Sequence, residues 1–144
     1  MIFIIVTAIL SLDQVTKFLV RGNLSYNQSL PIIRGIFHLT LVRNRGAAFG
    51  ILKNQLPLFI FTSVLAIILI YLNLKTNKNR KLLFSIALSL ILAGALGNLI
   101  DRLFLGYVID FLDFRIWPVF NIADSAITVG AILLGLSILR TKEV

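Results

Sequence analysis

The chain has no cysteine, which excludes a disulfide framework, a thiolate metal site and a thiol nucleophile. Its single histidine, His38, excludes multi-histidine zinc and an HExxH helix. Acid is scarce as well: six Asp and Glu stand against fourteen Lys and Arg, for a net charge of +8. Charged residues make up only 14% of the 144, and 58% are hydrophobic. With a mean hydropathy of +0.97, this is the composition of a membrane protein. The basic excess lies beside long apolar runs, so anionic lipid headgroups are the expected counter-charge and nucleic acid is not.

A membrane-spanning helix needs about 20 mostly apolar residues. Four stretches qualify, at about 1–20, 56–74, 82–100 and 119–139. The first lacks a basic leading region and a small-residue cleavage site, and reads as a retained helix. The expected organisation is one integral membrane domain over 1–144. Four of the seven residues from Lys75 to Lys81 are basic, and such short loops are usually cytoplasmic. Both termini would then be cytoplasmic, with the segments after helices 1 and 3 extracytoplasmic. Between helices 1 and 2, Phe37, Leu39 and Leu41 alternate with His38, Thr40 and Val42. That period of two predicts a half-buried strand within a small extracytoplasmic β-sheet over about 23–55. Arg45-Gly46 supplies a turn ahead of Ala47, Ala48 and Phe49. Small residues four apart, Ala93 with Gly97, Ala126 with Gly130 and Ala131 with Gly135, predict close helix packing.

Glu143 lies in the tail, and the other five acids are aspartates: Asp13, Asp101, Asp110, Asp113 and Asp124. In the four-helix topology all five fall at or near one face. Carboxylates next to hydrocarbon are costly and persist mainly where chemistry or ion passage uses them. Asp13 and Lys17, at i and i+4, are suited to neutralising one another. Asp101, beside Arg102 and one turn after Asn98, suits an ion-paired brace, and Asp113 an ordinary loop charge near Arg115. Asp110 follows an apolar approach, Val108-Ile109, which directs its carboxylate toward the membrane surface. Asn121 and Asp124 have the spacing of a helix N-cap with an acid at N3. The positive helix end would help keep such an acid ionised. Two carboxylates with separated proton affinities can cleave a peptide bond without a metal or a covalent intermediate.

Five blocks in this order resemble the motifs of the lipoprotein signal peptidase, or signal peptidase II, family: Asp13-Gln14-Val15-Thr16-Lys17, Asn44-Arg45-Gly46-Ala47-Ala48-Phe49, Gly94 through Arg102, Val108-Ile109-Asp110-Phe111, and Phe120-Asn121-Ile122-Ala123-Asp124-Ser125. The resemblance implies a bacterial inner-membrane aspartyl endopeptidase of four helices, with a small sheet cradling the substrate. Such an enzyme removes the signal peptide from diacylglyceryl-modified prolipoproteins, just before the lipidated cysteine. By motif, Asp110 and Asp124 would be the catalytic dyad. Asn44, Gly46, Asn98, Arg102 and Asn121 would line or brace the site, and Asp13, Lys17 and Asp101 would support it. No cofactor or metal is implied; the partners are the prolipoprotein and membrane lipid, and the chain is expected to be monomeric.

Three other readings compete. A serine–lysine protease would pair Ser125 with Lys17, but no GxSxG or SxxK context is present. A proton or ion transporter would place its acids at mid-bilayer on broken helices. A purely structural role predicts that replacing the acids harms folding alone.

Overall fold

The computed structural model describes residues 1–46, 55–76 and 81–140. Four helices long and apolar enough to cross a membrane are present: α1 (Ile2–Asn23), α2 (Leu56–Thr76), α3 (Leu82–Leu105) and α4 (Ile122–Leu139). The strands are β1 (Ser29–Ile33), β2 (Phe37–Asn44) and β3 (Val108–Asp113), forming one antiparallel sheet in the order β1-β2-β3. Large apolar side chains cover the outer faces of the helices, with Phe3 and Phe104 each 80% exposed and Phe18 77%. In water such a surface would aggregate, whereas hydrocarbon accepts it, because a helix bonds its backbone groups within its own segment except at its end turns.

Helix α3 is the central element and packs against α1, α2 and α4. Its glycines bring the backbones together. A Cβ on Gly97 would lie 2.6 Å from Asp13 Oδ2, and one on Gly130 of α4 would lie 2.8 Å from the Ala87 carbonyl oxygen. These two approaches are what the spacing of small residues predicts, whereas the expected approach at Ala131 and Gly135 is not found, because that face of α4 has no neighbour at Gly135. Replacing Gly97 with alanine must displace the Asp13 carboxylate, and a loss of about 1–3 kcal/mol is expected. Gly135, with nothing within 4 Å of its would-be Cβ, is the control: thermal melts in detergent should show a lower midpoint for Gly97→Ala and none for Gly135→Ala.

The structure moves several expected boundaries. Helix α3 continues to Leu105, past the expected end near residue 100, because Asp101 is buried in the protein and Arg102 lies on the cavity, so neither interrupts it. Gly106 stops it, at φ 78° with its N–H on the Arg102 carbonyl, the left-handed cap that glycine adopts without a Cβ penalty. Helix α4 begins at Ile122 and not near 119, because Asn121 caps it. The third strand comes from beyond α3, so the sheet is not confined to the segment between helices 1 and 2. In β3 almost every residue is buried, and a strand covered on both faces shows no alternation to read.

The sheet sits over the end of α1, where Val20, Leu41, Ile109 and Phe111 form its core. It is thereby held at the end of the bundle where α3 finishes and α4 starts. The predicted Ala47–Phe49 segment after the Arg45-Gly46 turn, most of the basic loop at 77–80 and the tail beyond 140 lie outside the described residues.

Candidate active site

Two polar layers occupy the junction of α1, α3, β3 and α4. The lower is an ion-paired brace. Lys17, 2% exposed, places its Nζ 2.8 Å from Asp13 Oδ2 and 3.0 Å from Asp101 Oδ2. The Asp13–Lys17 pairing is the one the i, i+4 spacing predicts, whereas Asp101 pairs with Lys17 and not with its neighbour Arg102. Each carboxylate also ties a backbone: the Ala123 N–H donates to Asp13 Oδ1 at 2.9 Å, and the Ile109 N–H to Asp101 Oδ2 at 3.0 Å. Gln14 Nε2 closes the layer, donating to Asp13 Oδ2, the Gly97 carbonyl and Asp101 Oδ1 at 3.1–3.2 Å. Buried charges are tolerated only when paired and hydrogen-bonded in this way, and here the pairing fixes where β3 and α4 begin.

The upper layer joins Asp110 to Asp124 through two amides. Asn121 Nδ2 donates to Asp110 Oδ1 at 2.7 Å, and Asn98 Nδ2 to Asp124 Oδ1 at 2.7 Å. The two amides meet each other, Asn121 Nδ2 donating to Asn98 Oδ1 at 3.1 Å. Lys17 also donates to Asn98 Oδ1, at 3.1 Å. A lysine ammonium has no acceptor, so it turns the Asn98 oxygen toward itself and the amide N–H toward Asp124. Asn121 is the N-cap of α4 in a full capping box: its Oδ1 accepts the Asp124 N–H at 2.8 Å, and Asp124 Oδ2 accepts the Asn121 N–H at 3.3 Å. The cap and the bridge between the acids are thus one side chain.

From the sheet, Asn44 Nδ2 donates to Asp110 Oδ2 at 2.8 Å, and the Gly46 N–H holds the Asn44 oxygen at 2.9 Å. Burial pushes the Asp110 carboxyl up to about 7, with the nearby Asp124 charge adding to it; the Asn44 and Asn121 hydrogen bonds and Lys17 oppose the rise. Folding therefore disfavours ionised Asp110. The stability tied to this group is fully present below about pH 4 and is lost as pH rises through about 7.

Asp110 and Asp124 both line a cavity of about 720 Å³, together with Asn44, Gly46, Asn98 and Arg102. Asn121 is fully buried behind it. Arg102 stacks over the Phe59 ring of α2 at 5.0 Å and donates weakly to the Asn98 carbonyl at 3.5 Å. The opposite wall is apolar, built from Phe114, Ile116, Trp117 and Phe120 of the β3–α4 connection and from Ile127 and Val129 of α4. Polar donors on one side and hydrocarbon on the other suit an extended peptide carrying apolar groups.

All ten sequence-derived site residues fall in these two layers or on the cavity. Sequence reasoning missed Gln14, although it lies inside the first motif block, and Phe59, which carries no local signal. It also took Asp113 for an ordinary loop charge. Asp113 ends β3 and is 5% exposed, with Thr40 Oγ1 donating to Oδ2 at 2.6 Å and Arg115 Nη1 at 2.9 Å. Burial pushes its carboxyl up, but the Thr40 and Arg115 hydrogen bonds outweigh that and hold it below the usual carboxylate value.

The fold and site together define a multi-pass membrane protein whose acid pair, Asp110 buried and Asp124 half-buried, opens into a cavity at one end of its bundle. A family model described as signal peptidase (SPase) II matches residues 5–140. The lipoprotein signal peptidase of Halothermothrix orenii is 49% identical, over 100% of this chain and 99% of that protein. That of Caldanaerobacter subterraneus subsp. tengcongensis is 52% identical, over 94% of this chain and 93% of its own. A bacterial membrane enzyme solved at 2.3 Å by the in meso method superposes with a TM-score of 0.92 at 34% identity, covering 98% of this chain and 88% of that one. The chain belongs to the signal peptidase II family and is a peptidase.

Proposed function

We propose that the chain is an aspartyl endopeptidase that removes the signal peptide from diacylglyceryl-modified prolipoproteins, cutting just before the lipidated cysteine, with Asp110 and Asp124 as its catalytic dyad. The observation that carries this reading is the opening of both carboxylates into one cavity, joined by Asn98 on its wall and Asn121 behind it. Asp110, raised to about 7, holds the shared proton and polarises the scissile carbonyl. Asp124, at the positive end of α4, is the ionised partner that takes a proton from the attacking water. The tetrahedral intermediate collapses as the proton passes to the leaving nitrogen, and no cofactor takes part. Asn44 and Arg102 offer donors to the substrate backbone. The acyl chains stay in hydrocarbon beside the apolar wall.

The basic character of Lys75 to Lys81 and of Arg140 supports cytoplasmic termini and an extracytoplasmic site. The chain acts as a monomer. The native sequence has no cysteine, so single cysteines placed at the loops and ends will report orientation by labelling from either side.

The test is cleavage by the purified protein in nanodiscs of a synthetic precursor with and without diacylglycerol on its cysteine, the cut read by mass spectrometry. Cleavage of the lipidated peptide alone, immediately before the cysteine, is expected; cleavage of neither overturns the proposal. The rate should also fall on the alkaline side as pH rises through about 7, where Asp110 loses its proton. A profile flat from pH 6 to 9 would contradict Asp110 as the proton holder.

A further inference from the structure

The apolar wall of the cavity hangs on a strained turn. The Ile116 N–H donates to the Phe114 carbonyl at 2.8 Å across Arg115, which has φ 66°. A γ-turn with its central residue in the left-handed region is rare and strained for a side chain larger than glycine. Such a conformation persists only where its surroundings over-determine it. Here Asp113 does so: Oδ1 accepts the Arg115 N–H at 2.8 Å, and Oδ2 accepts Arg115 Nη1 at 2.9 Å.

Asp113 is itself fixed from the sheet, through a chain of hydrogen bonds whose direction follows from counting hydrogens. Thr40 gives its only hydroxyl hydrogen to Asp113 Oδ2 at 2.6 Å. Ser29, 2.8 Å from Thr40 Oγ1, must then donate to Thr40. His38 Nδ1, 3.0 Å from Ser29 Oγ, must in turn carry the hydrogen and donate to Ser29. Three residues on two strands thus point every donor toward one carboxylate, which an ordinary loop charge does not require. Beyond the turn, the Phe114 ring is wedged between Phe37 at 5.0 Å and Phe120 at 5.9 Å. Ile116 and Trp117 follow, 94% and 60% exposed, on the cavity wall.

We propose that Asp113, held by Thr40 and clamping the Arg115 turn, is a positioning residue for substrate binding: it fixes the wall of Phe114, Ile116 and Trp117 against which the apolar signal-peptide segment of the precursor packs. This deepens the proposed peptidase function and rests on it. Asp113 touches neither dyad acid in the described hydrogen-bond network, so its effect falls on binding and not on the chemical step.

Trp117 is the only tryptophan in the chain, so its fluorescence anisotropy reads the wall directly and needs no substrate. The experiment compares wild type, Asp113→Asn, Thr40→Val and Thr40→Ser in nanodiscs, by anisotropy and by KM and kcat on the lipidated precursor. Asp113→Asn and Thr40→Val are expected to lower the anisotropy and to raise KM about tenfold, with kcat within about twofold. Thr40→Ser, which keeps the hydroxyl, should restore both. Wild-type anisotropy in Asp113→Asn and Thr40→Val, or lowered anisotropy with unchanged KM, overturns the proposal, as does a fall in kcat at constant KM. Failure of the wild-type protein to cut the lipidated precursor overturns the peptidase reading instead, and the anisotropy still decides whether the clamp exists.

Discussion

Asp110→Asn and Asp124→Asn are each expected to reduce cleavage of a diacylglyceryl-modified precursor by at least about 10²–10⁴-fold, the usual worth of a positioned acid or base, while the purified protein keeps its helix content. The two substitutions are nearly isosteric. At Asp110, neutralisation removes a charge that folding opposes, since its carboxyl is raised to about 7. Asp110→Asn should therefore not be less stable than wild type at pH 8, even though its amide must turn an N–H toward Asn44 or Asn121. The double variant should be no slower than the worse single one, because the acids share one proton and act as a unit. Wild-type turnover by Asp124→Asn would remove it from the dyad. Loss of helix content in parallel with loss of cleavage would return both acids to a structural role.

Much of this was legible in the chain because the underlying physics is local. Membrane helices announce themselves by composition, and Asp13 with Lys17 by helical spacing. Asn121 with Asp124 announce themselves by cap spacing. The five motif blocks carried all ten site residues by resemblance. What was not legible depends on partners distant in sequence. Strand β3 is covered on both faces and lost the alternation that betrays β2. Helix α3 runs through Asp101 and Arg102 because Lys17, 84 positions from Asp101, supplies the charge that permits it. The direction of the Asn98 amide is set by that same lysine. Asp113 looked like a surface charge because its donor, Thr40, is 73 positions away.

Lys17→Met is expected to cost about 3–5 kcal/mol of stability, the cost of leaving a buried ionic partner unpaired. Methionine fills much of the lysine stem's volume and keeps the packing against α3, so the loss isolates the charge. Two carboxylates, Asp13 and Asp101, share this one ammonium at 2.8 and 3.0 Å, and both are nearly fully buried. Asp101→Asn should cost less, about 1–3 kcal/mol. Lys17 then still neutralises Asp13, and the amide oxygen can take the place of Oδ2 toward Lys17 and the Ile109 N–H, but the amide nitrogen then faces Gln14 Nε2, which donates to Oδ1 in the wild type. The order matters more than either value. If the brace works by charge pairing, chemical unfolding in detergent must rank wild type above Asp101→Asn above Lys17→Met. If it works by filling space, Lys17→Met will be the milder of the two. Lys17→Met that retains fold should also loosen the Asn98 amide, which loses the ammonium at its oxygen and keeps only Asn121 Nδ2 there and Asp124 Oδ1 at its nitrogen. Cleavage should then fall through kcat, with KM little changed, which separates this brace under the dyad from the clamp on the cavity wall.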